Sequence, residues 1–78
     1  MKTIGLLGGM SWESTQTYYS LINRKINERL GGFNSAKIVL VSVNFAEIEN
    51  FQRINDWEAA AGSLIQAARQ LEPGGADF

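Results

Sequence analysis

Cysteine and histidine are both absent from the 78 residues, and proline occurs once. Without cysteine no disulfide can staple a small fold, and without either residue a zinc site lacks its usual ligands. An excess of one charge is missing too: 7 basic against 8 acidic side chains leave a net charge of −1 and a pI near 5.2. Nucleic-acid binding draws on Lys and Arg clustered against phosphates, so no nucleic-acid partner is expected. Long apolar runs are lacking as well. The stretch Met1 to Leu7 carries one positive charge and is cut by Gly8-Gly9. Nothing approaches the ~18–20 apolar residues that span a bilayer or the pattern of a secretory leader, so a cytoplasmic protein with no membrane partner is expected. What is present is an ordinary globular mix, 45% apolar and 19% charged. A chain of this length buries only about 60% of its unfolded surface, so its stability is expected to be marginal.

Thr3 to Leu7 is short, apolar and bounded by glycine, which reads as a buried strand. Gly8-Gly9-Met10 forms the turn after it, and Ser11 offers an N-cap hydroxyl with Glu13 in the first turn of a helix. Thr15, Tyr19, Ile22, Ile26 and Leu30 recur at three- and four-residue steps, and Gly31-Gly32 stops the pattern. Ile38 to Val43 is nearly continuous in β-branched and aliphatic residues, as in a strand covered on both faces. Residues 44–54 read as a loop with a short helical turn. Asn55-x-x-Glu58 reads as a capping box opening a second long helix with a stripe of Trp57, Ala61, Leu64, Ala68 and Leu71, ended by Pro73-Gly74-Gly75.

The order strand, helix, strand, helix predicts an α/β fold built on a parallel sheet. Two parallel strands cannot have both faces and both edges covered by two helices, and sheets generally need more strands. Ala76-Asp77-Phe78 follows a helix terminator and reads as the beginning of a third strand. The expectation is the N-terminal piece of a larger α/β protein.

One local pattern carries chemistry. Gly5-x-x-Gly8-Gly9-Met10-Ser11 lies between a strand and a helix N-terminus, where open α/β sheets bind ligands. Glycines admit a ligand close to the backbone, and free N–H groups at the helix start favour an anion. The spacing is neither the dinucleotide fingerprint nor a P-loop, which leaves a small carboxylate or phosphate ligand, or a tight turn whose glycines serve backbone geometry alone.

The wider string Ile4-Gly5-Leu6-Leu7-Gly8-Gly9-Met10-Ser11-Trp12-Glu13-Ser14-Thr15, followed by Tyr18-Tyr19 and Ile22-Asn23, closely resembles the opening of the aspartate/glutamate racemase family, in particular its bacterial amino-acid racemases. Leu30-Gly31-Gly32, Ser42-Val43-Asn44-Phe45 with Glu47-Ile48, Gln52-Arg53 and Gly75-Ala76-Asp77-Phe78 extend the resemblance over the whole chain. Pro73-Gly74 departs from the family pattern at a helix end. The resemblance implies a three-layer αβα domain, of which residues 1–78 would be the N-terminal part, with a second domain absent and the active site between the two. It further implies racemisation without pyridoxal phosphate, metal or other cofactor: a thiolate removes the α-proton from one face and a thiol delivers another from the opposite face. The substrate would be a small amino acid such as aspartate or glutamate.

The chain has no cysteine, so no catalytic role can be carried onto it. Both acid/base residues of the family would fall after Phe78, the first in a Cys-Thr-Asn-type segment. Met10 and Gln52 match positions that contact substrate in relatives. Each also has a plain structural reading, Met10 as an apolar plug over the loop and Gln52 as a solvated amide. Ser11 reads as a cap before a ligand contact, Arg53 as a surface charge before an attractor of a substrate carboxylate, Tyr18 and Tyr19 as core or interface, and Trp12 and Trp57 as packing at helix starts. Glu47 and Glu49 lack the partners a metal would need. Three readings follow: a truncated piece of an amino-acid racemase; a non-catalytic remnant or carboxylate-binding fragment of that family; and, weakest, a nucleotide-phosphate binder. A homo-oligomer stays open.

Overall fold

A computed structural model describes all 78 residues. Strand β1 (Ile4–Gly8) leads through the glycine turn into helix α1 (Trp12–Leu30). Strand β2 (Ile38–Ser42), helix α2 (Phe45–Arg53) and helix α3 (Trp57–Ala68) follow. The strands pair in parallel, with Ile4 opposite Ile38 and Gly8 opposite Ser42. Apolar β-branched and aliphatic residues without alternation specify this arrangement, because both faces of the sheet receive helices.

The two faces can be read from the close approaches. A Cβ on Gly8 would meet the Thr15 side chain and Leu40 Cδ1, so Gly8, Leu40 and α1 share one face. On the other face, Gly5 lies against Leu71 and Ala76, and Gly74 lies against the Val39 side chain. Helix α2 packs on α3, and α3 reaches β2. The buried side chains are Ile48 of α2 and Ala60 and Ala67 of α3. Small alanines let helices approach closely, and burying Ile48 contributes about 1.5–3 kcal/mol.

The helix ends follow from capping chemistry. Gly31 has φ of 72°, a left-handed conformation that glycine takes without penalty, and its N–H donates to Asn27 O. Asn27 Nδ2 then donates to Gly32 O at 2.8 Å and Asn34 O at 3.0 Å, binding the turn after α1 into a clasp.

Several expectations are corrected. The segment read as a loop is largely the nine-residue helix α2, because Asn44 Oδ1 accepts from Ala46 N at 3.1 Å and Ile48 anchors the turn beneath it. The cap of α3 is Asp56 in place of Asn55: Asp56 Oδ1 accepts from Ala59 N at 3.0 Å, while Asn55 takes φ of 61° in the turn before it. That helix ends at Ala68, and a run of turns carries the chain through Pro73-Gly74-Gly75. The inward side of α3 is centred on Ala60 and Ala67, with Leu64 half-buried, whereas Trp57, Ala61 and Ala68 are exposed.

The sheet has two strands, and residues 76–78, expected to begin a third, lie beside β1 as irregular chain. Asp77 N donates to Thr3 O at 2.8 Å, Gly5 N donates to Phe78 O at 2.6 Å, and Thr3 N donates to Asp77 Oδ2 at 2.7 Å. The tail therefore runs parallel to β1 on the side away from β2. The resulting body is a slab of 49 × 25 × 12 Å. Its radius of gyration is 14.7 Å. About 11–12 Å is expected for a compact domain of this length.

Candidate functional site

Both strands deliver the chain into a helix N-terminus at the same end of the sheet. Strand β1 leads through Gly8-Gly9-Met10-Ser11 into α1, and β2 leads through Val43-Asn44 into α2. This is the carboxyl end of a parallel sheet, where ligands of α/β proteins are held.

The loop after β1 is fastened from three directions. Val43 N donates to Gly8 O at 2.8 Å, which draws the loop onto the end of β2. Gly9 N donates to Thr15 Oγ1 at 3.0 Å, and Thr15 Oγ1 donates to Ser11 O at 3.1 Å. Gly9 has φ of 95°, and a Cβ there would collide with the Val43 carbonyl oxygen and stand 2.6 Å from its nitrogen. The second glycine of the pair is therefore required by contact as well as by conformation. Thr15 was read from the sequence only as one position of a helix face. Its hydroxyl is what holds the loop, and the signal for that role was a threonine six residues after Gly9, one turn inside the helix.

Ser11 is the cap of α1, its Oγ accepting from Ser14 N at 3.5 Å and donating to Glu13 Oε2 at 3.3 Å. The amides of Met10, Ser11, Trp12 and Glu13 donate to no group of the chain. They are the orphan donors of a helix start and the means by which such a loop holds a carboxylate. Glu13 and Glu47 place acidic side chains in the first turns of α1 and α2, opposing the attraction of the helix ends for an anion. Binding there would rest on directed amide hydrogen bonds more than on net field.

Met10 is 41% exposed and lines a hollow of about 200 Å³ with Leu6, Ser11, Ser14 and Tyr18 among its walls. Its side chain is thus a partly exposed apolar group at the mouth of the loop. Gln52 is half-buried in the last turn of α2 and does not line that hollow. The structure does not bring the two sequence-predicted contacts into one pocket. Arg53 is held on its own helix, donating to Asn50 Oδ1 at 2.7 Å and lying 3.9 Å from Glu49 Oε1. Its guanidinium is exposed to solvent.

Four aromatics stand outside the core of this chain. Tyr18 and Tyr19 are 62% and 51% exposed in this chain, and Trp12 and Trp57 are 65% and 59% exposed. Trp12 and Tyr19 instead wall a larger open hollow of about 470 Å³ with Thr15, Gln16, Leu40 and Ser42. No group of three or more acidic side chains is placed to hold a metal ion. No helix is long and apolar enough to cross a membrane.

No protein-family model matches the chain. Among solved structures it is similar to a crystal structure of a protein from Yersinia pestis that is provisionally assigned as an Asp/Glu racemase. The two are 53% identical and superpose with a TM-score of 0.93, over 99% of this chain and 34% of the other. The chain thus spans about a third of the length of the protein it matches. At 53% identity over 99% of its length, this chain has the α/β fold of the corresponding third of that Asp/Glu racemase-like protein.

Proposed function

We propose that these residues form part of the substrate side of a cofactor-independent amino-acid racemase acting on aspartate, glutamate or a close relative in the cytoplasm. The observation that carries this reading is the fastened Gly8-Gly9-Met10-Ser11 loop, with its unpartnered amides at the carboxyl end of β1, in a chain 53% identical to a provisionally assigned Asp/Glu racemase. In the mechanism the resemblance implies, the substrate's α-proton leaves to a thiolate on one face and is replaced from a thiol on the other. Donors directed at the substrate carboxylate stabilise the carbanion-like transition state. The loop amides of Met10 to Glu13 suit that second task. Met10 and Gln52 would contact substrate from the loop and from α2. The chain holds no cysteine, so the proton-transferring thiols belong to other residues of the complete enzyme, and these 78 residues alone are inactive.

The test is a chimera in which this chain replaces the matching third of the Yersinia protein. Racemisation of L-aspartate and L-glutamate is followed by formation of the D-enantiomer. The reading expects turnover by the chimera comparable to the parent, and none by the isolated chain. A parent that racemises while the correctly folded chimera does not would refute it, as would D-product from the isolated chain.

A further inference from the structure

Thr15 makes one bond more than its place in a helix requires. Its backbone N–H donates to Ser11 O at 3.0 Å, the first rung of α1, and its hydroxyl donates to the same oxygen at 3.1 Å. A hydroxyl has one hydrogen. With that hydrogen given to Ser11 O, the Thr15 lone pairs are left to accept from Gly9 N at 3.0 Å. Helix formation accounts for the first two bonds but not the third, which leaves the helix and reaches back to the loop. The methyl group fixes where the hydroxyl points. A Cβ on Gly8 would stand 2.6 Å from Thr15 Cγ2 and 2.7 Å from its Oγ1, so the branched side chain is seated on the bare backbone of Gly8. Threonine in a helix divides between two rotamers, and this contact holds the one that faces Gly9.

Gly9 N and Ser11 O are thus tied to one oxygen atom, and Met10 lies in the short segment closed between them. The bond to Thr15 occupies the Gly9 N–H, so the free donors of the loop begin at Met10 and run on through Ser11. We propose that Thr15 is a positioning residue for carboxylate recognition: through Gly9 N and Ser11 O it holds the Met10 and Ser11 amides in the direction in which they meet the substrate carboxylate. The proposal takes its substrate from the racemase reading, on which it rests. Beyond the helix start itself, Thr15 lines the hollow of about 200 Å³ beside Met10, Ser11 and Ser14, so the tied segment borders a space into which a small ligand can enter. Amides held in place before a ligand arrives bind it more tightly, because a loop ordered only on binding offsets part of the contact energy with lost freedom. Thr15 acts through the loop and touches no substrate atom.

The test titrates the chimera with succinate, a dicarboxylate that lacks the amino group and cannot be racemised, and follows the backbone amide resonances of Met10 and Ser11. Both amides are expected to shift on binding. Thr15→Val keeps the shape and loses the hydroxyl, and should bind succinate about tenfold more weakly. Thr15→Ser keeps the hydroxyl and should recover most of that affinity. If the valine variant does not fold, Thr15→Ala reads the same loss, since alanine favours the helix and fits wherever threonine does. Met10 and Ser11 amides that no concentration of succinate moves would overturn the proposal. So would parent-like affinity in the variants without the hydroxyl, or a serine variant as weak as they are. A hydroxyl that serves stability alone would lower the unfolding midpoint and leave succinate affinity unchanged, which also overturns it. Because the racemase reading is scored by turnover and this one by binding of an unreactive dicarboxylate, the failure of either is distinct from the failure of the other.

Discussion

Substituting Gly9 by alanine separates conformational strain from collision at the heart of the loop. A left-handed conformation costs an L-residue about 1–2 kcal/mol, and Gly9 sits at φ of 95°. The added Cβ would also meet the Val43 backbone at both its nitrogen and its oxygen, and neither can yield without moving the end of β2. Overpacking of that kind costs about 1–3 kcal/mol, so the whole change is about 2–5 kcal/mol. Two other glycines calibrate it. Gly31 has φ of 72° with nothing within 4 Å of its Cβ direction, so Gly31→Ala should show the conformational cost alone, about 1–2 kcal/mol. Gly62 lies inside α3 with open space around it, and Gly62→Ala should stabilise by up to about 1 kcal/mol. The assay is urea unfolding of the chimera with the Yersinia protein, followed by circular dichroism. At a slope of about 2 kcal/mol per molar urea, Gly9→Ala should lower the midpoint by ~1–2.5 M. Equal midpoints for Gly9→Ala and Gly31→Ala would refute the collision argument. A Gly9→Ala protein as stable as the parent would refute the geometry of the loop altogether.

The capping correction predicts that Asp56→Ala costs about 1 kcal/mol in the same chimera, while Asn55→Gly is neutral or slightly stabilising, since glycine adopts the left-handed turn without penalty. Ile48→Ala, at a side chain 2% exposed, should cost about 2–5 kcal/mol by equilibrium unfolding. Arg53→Ala removes an exposed ion pair worth less than about 1 kcal/mol and should leave both stability and racemisation near those of the parent. Met10→Ala and Gln52→Ala are expected to raise KM for the amino acid in steady-state assays. Met10→Leu should restore most of the loss if the contact is apolar, and an unchanged KM in both alanine variants would remove these residues from the site. The isolated chain is expected to be poorly soluble and to melt without a sharp transition, because so little of it is buried. A cooperative melt from a clean monomer would contradict this.

The residues alone determined the parts whose causes are local. A run such as Ile38 to Ser42, β-branched and aliphatic, favours a strand, and the ends of α1 follow from Ser11 and Gly31, whose capping chemistry acts within a few residues. The glycine string was legible for the same reason, as was its likeness to Asp/Glu racemases, later met in three dimensions. Helix α2 was not legible, because Asn44 and the mixed sequence after it commit to a helix only when Ile48 finds a buried place among the packed helices. The choice between Asn55 and Asp56 as cap was equally hidden: both side chains can cap, and the turn joining α2 to α3 decides which takes the left-handed conformation. Tertiary structure alone showed that Thr15 holds the Gly9 loop and that Met10 and Gln52 do not share a pocket. Each of these depends on where two separated segments meet, and strand register and helix packing set that meeting through contacts between residues far apart in the chain.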